Sequence, residues 1–488
     1  MNRSAELNFA ARLVRRLGPN SCLVDAATGE TVSAQDLPAQ IVGFAASFTS
    51  AGLEPGDRIV IGCALSPAST LAYLGAMYAG LVPVPLEERV LSLSGELVCA
   101  TTQAKAVWTG TRVKCEWAGQ PQLRHLAGNC EARPIESLPP YPRSADDLAA
   151  LMPTSGSTGT PRLVQASHGN LIANTEAIIR SQHLGSDERA MLILPVSYCF
   201  GASVLHTHLY QGGGAVFDSR FMFPDKVLRA IQTHGCTTFA GVPTVYNILL
   251  GRSNLRSIPL PSLRRFLQAG GALTPKSVQA MREIVPTAQF YVMYGQTEAT
   301  ARISCLPPEH LMEKLGSAGL PLDNLEVRIV DDEGREVAGG RSGEIWVKGP
   351  SISTGYFNDP EETARKFQDG WLKTGDIASV DADGYLWITG RQGDFMKIRG
   401  VRLSYAEVET RVAQVPGVYE CAATSVAHPE AGEAIALFVV PQNGAIDLAE
   451  RVRDALPPQW TCSGVNLVAE LPKTANGKIA RTLLRAMK

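Results

Sequence analysis

The sequence lacks the features that mark exported, membrane-spanning and nucleic-acid-binding proteins. Its N-terminus has no apolar core followed by a cleavage site, so we do not expect a signal peptide. The most apolar region, residues 58–86, is interrupted by serine, glycine and proline, so we do not expect a membrane span. A formal net charge of −2 over 488 residues gives no reason to expect nucleic acid or an anionic membrane as the main partner. We therefore predict a cytoplasmic protein.

The ten cysteines include no C-x-x-C pair, although they extend from Cys22 to Cys462. This distribution fits reduced thiols better than a disulfide framework or a zinc site. His206 and His208 are two residues apart and would share one face of a strand, but no third ligand lies nearby in the sequence. We therefore interpret them as core or surface histidines rather than metal ligands.

Between residues 58 and 294, short apolar runs rich in β-forming residues alternate with helical patterns, as in parallel βαβ units. The predicted strands are Arg58–Leu65, Leu81–Leu86, Met191–Val196, Thr237–Ala240, Arg265–Ala269 and Phe290–Tyr294. The predicted helices include Ser69–Tyr78, Lys226–Thr233, Val245–Leu250 and Pro275–Ile284. Ligands of such sheets bind beyond the carboxyl ends of the strands, so the loops that follow these strands are candidate sites.

After residue 316 the pattern changes, because hairpin-like runs with turn residues at 381–384 indicate a small antiparallel section. A further unit begins near residue 392, with strand patterns and a helix that Ser404 and Glu407 would open as a capping box. We predict an α/β fold with a large N-terminal body of α/β subdomains and a small β-barrel-like section, followed by a small α+β C-terminal domain. The predicted domains are residues 1–391 and 392–488.

The stretch TSGSTGTPR, residues 154–162, combines hydroxyl side chains and glycines with one cation. Such a run can offer backbone N–H groups, hydroxyls and a positive charge to a polyphosphate. It is not a Walker loop, which would need glycine at Pro161, nor a dinucleotide turn, which would need glycine at Thr158. Alone, such a run is more often a flexible loop, so its interpretation depends on the other motifs.

Four further motifs follow it, namely YGQTEA at 294–299, TGD at 374–376, GRQGDFMKIRGVRLSYAEVE at 390–409 and LPKTANGKI at 471–479. In this order and at these separations, they resemble the adenylate-forming superfamily of AMP-dependent synthetases and ligases. That superfamily includes acyl-CoA synthetases, firefly luciferase and the adenylation domains of nonribosomal peptide synthetases. The resemblance extends to residues 71–87, 269–274 and 355–363. It implies an acid–thiol ligase with a mobile C-terminal domain that alternates between two half-reactions.

The resemblance implies a role for each motif in binding ATP, Mg²⁺ and the acid. The implied nucleotide-binding residues are Thr154, Ser155, Gly156, Ser157, Thr158, Gly159, Arg162, Gly270, Gly271, Ala272, Tyr294, Gly295, Gln296, Thr297, Asp376, Arg391 and Lys478. Of these, the glycine-rich loop would hold the β- and γ-phosphates, residues 270–272 with Tyr294 would contact adenine, and Asp376 with Arg391 would bind the ribose. Lys478, Thr297 and Glu298 are the implied catalytic residues, with Lys478 between the acid and the α-phosphate and Glu298 on Mg²⁺.

These residue types suit the activation of a carboxylate. A carboxylate is already ionised at pH 7, so its attack on the α-phosphate needs no general base. It does need compensation of negative charge around an in-line displacement. Mg²⁺ is a hard ion that prefers carboxylate and phosphate oxygens, which suits Glu298.

Two positions depart from the family pattern. The phosphate loop usually ends in lysine, whereas this chain has Arg162, whose planar fork replaces a point donor. The position about which the C-terminal domain swivels is usually Asp or Lys, and here it falls at Gly393 or the adjacent Asp394. We choose Gly393 as the hinge, since glycine permits the rotation but favours neither orientation.

The acid pocket is predicted to lie around Tyr198, Gly201, Val242 and Met293. Amino-acid-activating relatives carry an aspartate near the place of Gly201, so its absence disfavours α-amino acids, whose ammonium would lose its partner. The apolar neighbours favour a fatty or aromatic acid.

The acceptor is predicted to be the thiol of coenzyme A, with a stand-alone ligase that loads an acyl or peptidyl carrier protein as the alternative. No carrier domain follows Lys488, so a carrier with its phosphopantetheine would act in trans. A luciferase-like oxidative enzyme and a nucleotide-binding protein without turnover would share the same motifs. Against the second of these, a mere binder has no need of Lys478.

Overall fold

The alternating pattern of apolar strands and helices builds an N-terminal α/β body. The computed structural model describes residues 7–110, 122–154, 161–337, 339–399, 401–442, 445–473 and 479–487. Among these residues, no helix combines the length and hydropathy needed to cross a bilayer.

The strands of the body are short and mostly buried. In chain order they are β1 (Leu23–Asp25), β2 (Thr31–Val32), β3 (Arg58–Cys63), β4 (Val82–Glu87), β5 (Ala106–Thr109), β6 (Arg124–Ala127), β7 (Leu148–Pro153), β8 (Leu163–Ser167), β9 (Arg189–Leu192), β10 (Gly214–Phe217), β11 (Thr238–Gly241), β12 (Arg265–Gln268), β13 (Gln289–Tyr294), β14 (Ser304–Leu306), β15 (Leu320–Pro321), β16 (Glu326–Val330), β17 (Gly343–Lys348), β18 (Phe367–Gln368), β19 (Trp371–Val380) and β20 (Leu386–Arg391).

Helices connect many of these strands. In chain order they are α1 (Phe9–Val14), α2 (Asp36–Ser50), α3 (Pro67–Tyr78), α4 (Glu88–Thr102), α5 (His168–Gln182), α6 (Cys199–Tyr210), α7 (Pro224–Thr233), α8 (Pro243–Arg252), α9 (Pro275–Ile284) and α10 (Pro360–Lys366). Proline at the first helical position opens α3, α7, α8, α9 and α10, where its missing N–H costs no hydrogen bond.

The central sheet of the body has nine strands in the order β15-β14-β13-β12-β11-β9-β10-β1-β2. Its middle strands, from β13 to β1, are parallel. A second, four-stranded parallel sheet has the order β4-β3-β5-β6. Strands such as β11 and β12 are buried at every residue, as expected for parallel strands that are covered on both faces.

The predicted strands and helices of the body are confirmed, with two corrections. Strand β9 covers Arg189–Leu192, so the predicted strand Met191–Val196 begins too late and extends into a loop. The prediction that His206 and His208 share a face of a strand is wrong, because both are buried in helix α6.

The hairpins predicted after residue 316 are present as a five-stranded antiparallel sheet. Its order is β16-β17-β19-β18, with β20 paired to β19. Buried side chains of this sheet form an apolar cluster that includes Ile345, Leu372 and Leu386.

The C-terminal domain has its own sheet and core. Its elements are β21 (Phe395–Ile398), β22 (Val401–Ser404), α11 (Tyr405–Val412), β23 (Val418–His428), β24 (Gly432–Pro441), α12 (Leu448–Asp454), β25 (Cys462–Leu467) and α13 (Arg481–Ala486). The Ser404 side chain accepts a hydrogen bond from Glu407 N at 3.1 Å and so caps α11 where the sequence predicted a helix start. A separate apolar cluster, from Met396 to Leu456, makes this domain a distinct packing unit. The predicted α/β body with a small C-terminal domain is thus confirmed.

Gly319 joins the central sheet to the antiparallel sheet at a position that only glycine fits. Its φ is 89°, and a Cβ there would overlap the peptide between Cys305 and Leu306. Its carbonyl also accepts a hydrogen bond from Leu386 N at 3.0 Å. The packed backbone cannot rotate away as a side chain would.

We predict that Gly319→Ala lowers the free energy of unfolding by about 3 kcal/mol, measured by chemical denaturation. The matched control is Gly56→Ala, since Gly56 has a similar φ of 92° but no atom within 4 Å of an added Cβ. The control isolates the cost of the left-handed backbone, about 1 kcal/mol. Equal losses in the two variants would contradict the overlap argument.

Candidate active site

Four neighbouring parallel strands deliver their carboxyl ends to one edge of the central sheet. The strands are β9, β11, β12 and β13, and the loops that follow them contain nine of the predicted site residues. Tyr198 follows β9, Val242 follows β11, residues 270–272 follow β12, and residues 295–298 follow β13. The expectation that ligand-binding loops gather at this edge therefore agrees with the topology.

Asp376 links this edge to the antiparallel sheet. Its Oδ2 accepts a hydrogen bond from the Tyr294 hydroxyl at 2.6 Å, and its Oδ1 accepts one from Arg391 Nε at 2.7 Å. Asp376 and Arg391 are direct cross-strand partners on β19 and β20. The carboxylate is buried, while the arginine is half exposed.

The Asp376 carboxylate shifts the pKa values of both residues that donate to it. The Asp376 carboxylate holds the pKa of Arg391 above its ordinary range. Burial, reinforced by the same carboxylate, holds the pKa of Tyr294 well above its ordinary value. At neutral pH, Tyr294 is therefore a neutral donor and Arg391 a cation.

The loop after β12 lies against the loops after β9 and β11. Gly270 has a φ of 88°, and a Cβ there would lie 2.7 Å from the Tyr198 hydroxyl and 3.1 Å from Val242 Cγ1. The Gln268 side chain donates to Gly271 O at 2.8 Å and holds the loop in place. Glycine at position 270 thus permits the close approach of Tyr198 and Val242.

Glu298 lies in the short 3-10 turn Thr297–Ala299 that follows β13. Its Oε1 accepts a hydrogen bond from the Tyr356 hydroxyl at 2.6 Å. Thr297 Oγ1 contacts the thiol of Cys199, at the start of α6, at 3.4 Å. Beside them, the buried Nε2 of Gln296 has no hydrogen-bond partner among the described residues. Such an unpaired donor suits a site that receives a ligand.

The glycine-rich loop joins β7 to β8 in the chain, and these two strands pair antiparallel. At its base, Thr154 N donates to Arg162 O at 2.8 Å. Arg162 forms ion pairs with Asp359 at 3.3 Å and Glu362 at 3.4 Å, and its guanidinium lies 5.9 Å from the Tyr356 ring centre. Through Tyr356, the loop base is therefore close to Glu298.

Several predicted site residues lie outside the described part of the chain. They are Ser155, Gly156, Ser157, Thr158, Gly159 and Lys478. Their implied roles stay predictions.

The predicted pocket residues differ in their placement. Tyr198, Val242 and Met293 lie at the strand ends described above, and Tyr198 packs edge-to-face against Phe200 at 6.3 Å between ring centres. Gly201 lies in α6, where a Cβ would overlap the carbonyl of Pro195. The direction open to a side chain at 201 is thus filled by backbone. The absence of a carboxylate at position 201 is therefore weaker evidence against α-amino acids as substrates than we expected.

One buried residue of this region was not predicted. Arg302 is only 2% exposed, and its guanidinium lies 5.2 Å from the Phe200 ring centre and contacts the Met293 thioether. Arg302 is the one charged residue in the run Ala301–Cys305, which was the available sequence signal, whereas only the fold shows that the run is buried and which residues surround Arg302. Tyr356 was also missed as a site residue, although its segment belonged to the resemblance.

Gly393 lies between β20, the last strand of the antiparallel sheet, and β21, the first strand of the C-terminal sheet. Its φ is 95°, and no atom lies within 4 Å of an added Cβ. The turn is closed by a hydrogen bond from Asp394 N to Arg391 O at 2.8 Å.

Comparison with known proteins agrees with this geometry. Residues 11–357 match the profile of the AMP-binding enzyme family, and residues 407–478 match that of the AMP-binding enzyme C-terminal domain. The chain is 35% identical over 471 residues to a feruloyl-CoA synthase from Amycolatopsis sp, with 94% of each chain covered. It is 28% identical over 497 residues to a 4-coumarate–CoA ligase from Humulus lupulus, with 95% of this chain and 90% of the relative covered. The solved o-succinylbenzoate CoA synthetase of Bacillus subtilis, in complex with its acyl-adenylate intermediate, has a TM-score of 0.86, 25% identity and 98% coverage of each chain.

We predict that Asp376→Asn lowers kcat/KM for ATP by about 10- to 100-fold, mainly through KM, in a pyrophosphate-release assay. The substitution removes the charge that holds Arg391 and weakens two hydrogen bonds to a charged group. Asp331→Asn is the matched control, because Asp331 pairs with Arg335 in a surface turn of the antiparallel sheet. The same loss in both variants, or none in Asp376→Asn, would speak against a nucleotide-binding role.

Proposed function

Because the chain belongs to the AMP-binding enzyme family, we propose that the strand ends around Tyr294 and Asp376 form its nucleotide site. The enzyme is an AMP-forming acid–thiol ligase. It uses ATP to convert a carboxylic acid to acyl-AMP with release of pyrophosphate, and then transfers the acyl group to coenzyme A. The observation that carries the site assignment is that Tyr294 and Arg391 both donate hydrogen bonds to Asp376, while Glu298 lies in the turn that follows Tyr294.

Asp376 fits the recognition of ribose hydroxyls. A carboxylate has about four acceptor positions, and Tyr294 and Arg391 use two of them. The remaining positions can accept hydrogen bonds from the two hydroxyls. Gly270, Gly271 and Ala272 would contact the base across from Tyr294, since their small size leaves room for a planar ring.

Glu298 fits a Mg²⁺ ion that is shared with the nucleotide. The Tyr356 hydroxyl orients the carboxylate through Oε1, which leaves Oε2 for the ion. Within the described ranges, no group of three His, Cys, Asp or Glu side chains forms a site made of protein alone. Phosphate oxygens and water would complete the coordination, as is usual for Mg²⁺, and the ion would neutralise phosphate charge.

Charge compensation during adenylation would come from residues on both sides of the acid. Lys478 would lie between the acid carboxylate and the α-phosphate, while Thr297 would donate its hydroxyl to the α-phosphate. The glycine-rich loop, from Thr154 to Arg162, would hold the departing pyrophosphate. Gly295 and Gln296 would place the turn that carries Thr297.

The acid would bind beside Tyr198, Val242 and Met293, next to the loop after β12. Feruloyl-CoA synthase and 4-coumarate–CoA ligase act on phenylpropenoic acids by name, whereas another relative is a long-chain fatty acid ligase. This range agrees with a pocket that can take an aromatic or a fatty chain. A carrier protein with phosphopantetheine remains the alternative acceptor, and direct assay with each thiol separates the two.

The domain boundary is proposed at residues 391 and 392. The last body strand ends at Arg391, and the C-terminal core begins at Met396. Gly393 lies in the short connection, where its φ of 95° and open surroundings suit a hinge.

A cytoplasmic location is proposed together with this activity. No disulfide joins the cysteines of the described residues, and several of their thiols are fully buried. A reducing compartment keeps such thiols reduced.

The test of this function is pyrophosphate release and acyl-CoA formation over a panel of acids, with Lys478→Ala as the diagnostic variant. We expect Lys478→Ala to slow pyrophosphate release by about 100-fold or more, because a charge at the reacting centre is lost. Thioester formation from preformed acyl-AMP and CoA should change by less than a few-fold.

Lys473→Ala is the matched control, since Lys473 belongs to the same motif but pairs with Glu420 at 2.9 Å. Equal loss of both half-reactions in Lys478→Ala would contradict domain alternation. Product formation only with a phosphopantetheinylated carrier, and none with CoA, would overturn CoA as the acceptor.

We predict that Gly393→Pro slows both half-reactions measured separately, since proline fixes φ near −65° and Gly393 has a φ of 95°. Gly393→Ala controls for the loss of glycine, because an added Cβ meets no atom within 4 Å. It should retain more activity in each half-reaction. Unchanged rates in Gly393→Pro would show that this residue is not part of the hinge.

A further inference from the structure

Arg302 is a buried cation in the wall of the proposed acid pocket. It follows the turn that carries Glu298 and precedes β14, and it is 2% exposed. Its guanidinium lies over the Phe200 ring and contacts Met293, while Phe200 packs against Tyr198. Two residues that were predicted to line the pocket are therefore within its immediate surroundings.

The backbone of Arg302 is held from both sides by one residue of α5. Asn174 Nδ2 donates to Arg302 O at 3.0 Å, and Asn174 Oδ1 accepts from Arg302 N at 3.3 Å. This paired contact fixes the point from which the side chain extends. The arginine is thus built into the wall.

No carboxylate among the described residues pairs with Arg302. Two other arginines of the body have carboxylate partners, Glu188 for the buried Arg265 and Glu176 for the half-buried Arg12. The titratable groups that act on Arg302 are Cys305, Cys199 and Tyr198. Burial raises the pKa of Cys305 to about 12 and that of Tyr198 far above neutrality, so neither supplies a negative charge at pH 7.

Burying a cation without a carboxylate partner costs free energy, and the pKa of Arg302 shows that its burial disfavours the charged form. Burial lowers the pKa of Arg302 to about 10, which still leaves it charged at pH 7. Burying a charge without a partner destabilises the fold more than burying an apolar side chain of the same volume. Such a residue suits a site in which a ligand supplies the missing anion.

We propose that Arg302 binds a second carboxylate of the substrate, so that the enzyme acts on dicarboxylic acids. One carboxylate reacts with ATP at the strand ends, and the other forms a forked ion pair with the guanidinium. This inference rests on the proposed placement of the acid beside Tyr198 and Met293. It names Arg302 as the residue that determines specificity within an otherwise apolar wall.

The test compares diacids from malonate to sebacate, and 4-carboxycinnamate, each with the methyl-ended monoacid of the same length. Pyrophosphate release should show at least one diacid with a kcat/KM about 100-fold above its monoacid. In Arg302→Met, the diacid should lose about 100-fold while the monoacid changes by less than about threefold. Arg302→Lys should recover part of the diacid activity, because it keeps the charge without the fork.

Arg328→Met is the matched control, since Arg328 pairs with Glu326 on the antiparallel sheet and lies over Trp371. It should leave every ratio unchanged. Thermal denaturation of the same proteins separates specificity from folding: Arg302→Met should keep or raise the melting temperature, because it removes an unpaired charge. A lower melting temperature with an unchanged ratio of diacid to monoacid would make Arg302 a structural residue and overturn the proposal.

Direct binding distinguishes this inference from the proposed function. Without ATP, the best diacid should raise the melting temperature of the unmodified enzyme more than its monoacid does, and this difference should vanish in Arg302→Met. If no acid releases pyrophosphate, the proposed function is wrong, and the melting temperatures still decide the role of Arg302. A monoacid or 4-hydroxycinnamate that outperforms every diacid would overturn the inference.

Discussion

The hydrogen bonds to the Asp376 carboxylate fix the position of the group on which the rest of the proposed site depends. This carboxylate joins β13 of the central sheet to β19 and β20 of the antiparallel sheet through Tyr294 and Arg391. Because both of its oxygens are engaged, its orientation is set before any ligand arrives. A nucleotide that adds hydrogen bonds to it meets an acceptor that needs no reorganisation, which is how a preorganised site lowers the cost of binding.

The described residues on either side of the glycine-rich loop bear on how phosphate charge would be balanced in the proposed site. Residues 154 and 162 close a hairpin between antiparallel strands, so no helix N-terminus follows the loop directly. Arg162, at the end of the loop, is shared with Asp359 and Glu362. Its charge is thus partly neutralised within the protein, so the proposed site would depend more on a Mg²⁺ ion at Glu298 and on Lys478 to balance phosphate charge.

The sequence predicted the parts of this enzyme whose signals are local. Alternation of apolar runs located the parallel strands, Ser404 located the start of α11, and the ordered motifs located Tyr294, Glu298 and Asp376. It did not predict α6, because its residues are buried on all sides and show no helical period. Contacts between distant segments could not be predicted either. The hydrogen bond from Tyr356 to Glu298 joins residues 58 apart and leaves no pattern in either segment.

Arg302 shows why specificity is harder to predict than chemistry. The chemistry needs charges at motif positions, whereas the pocket is lined by whichever side chains the β13–β14 connection and α6 bring together. A Cβ at Gly295 would overlap the carbonyl of Ala301, so glycine is needed for the close backbone approach in this connection. The tight turn places Glu298 in the proposed nucleotide site and, four residues later, Arg302 against Phe200. In the proposed site, one short segment would therefore contribute to both the reaction and the choice of acid. We therefore expect a substitution at Arg302 to change that choice without moving the residues proposed to hold the nucleotide.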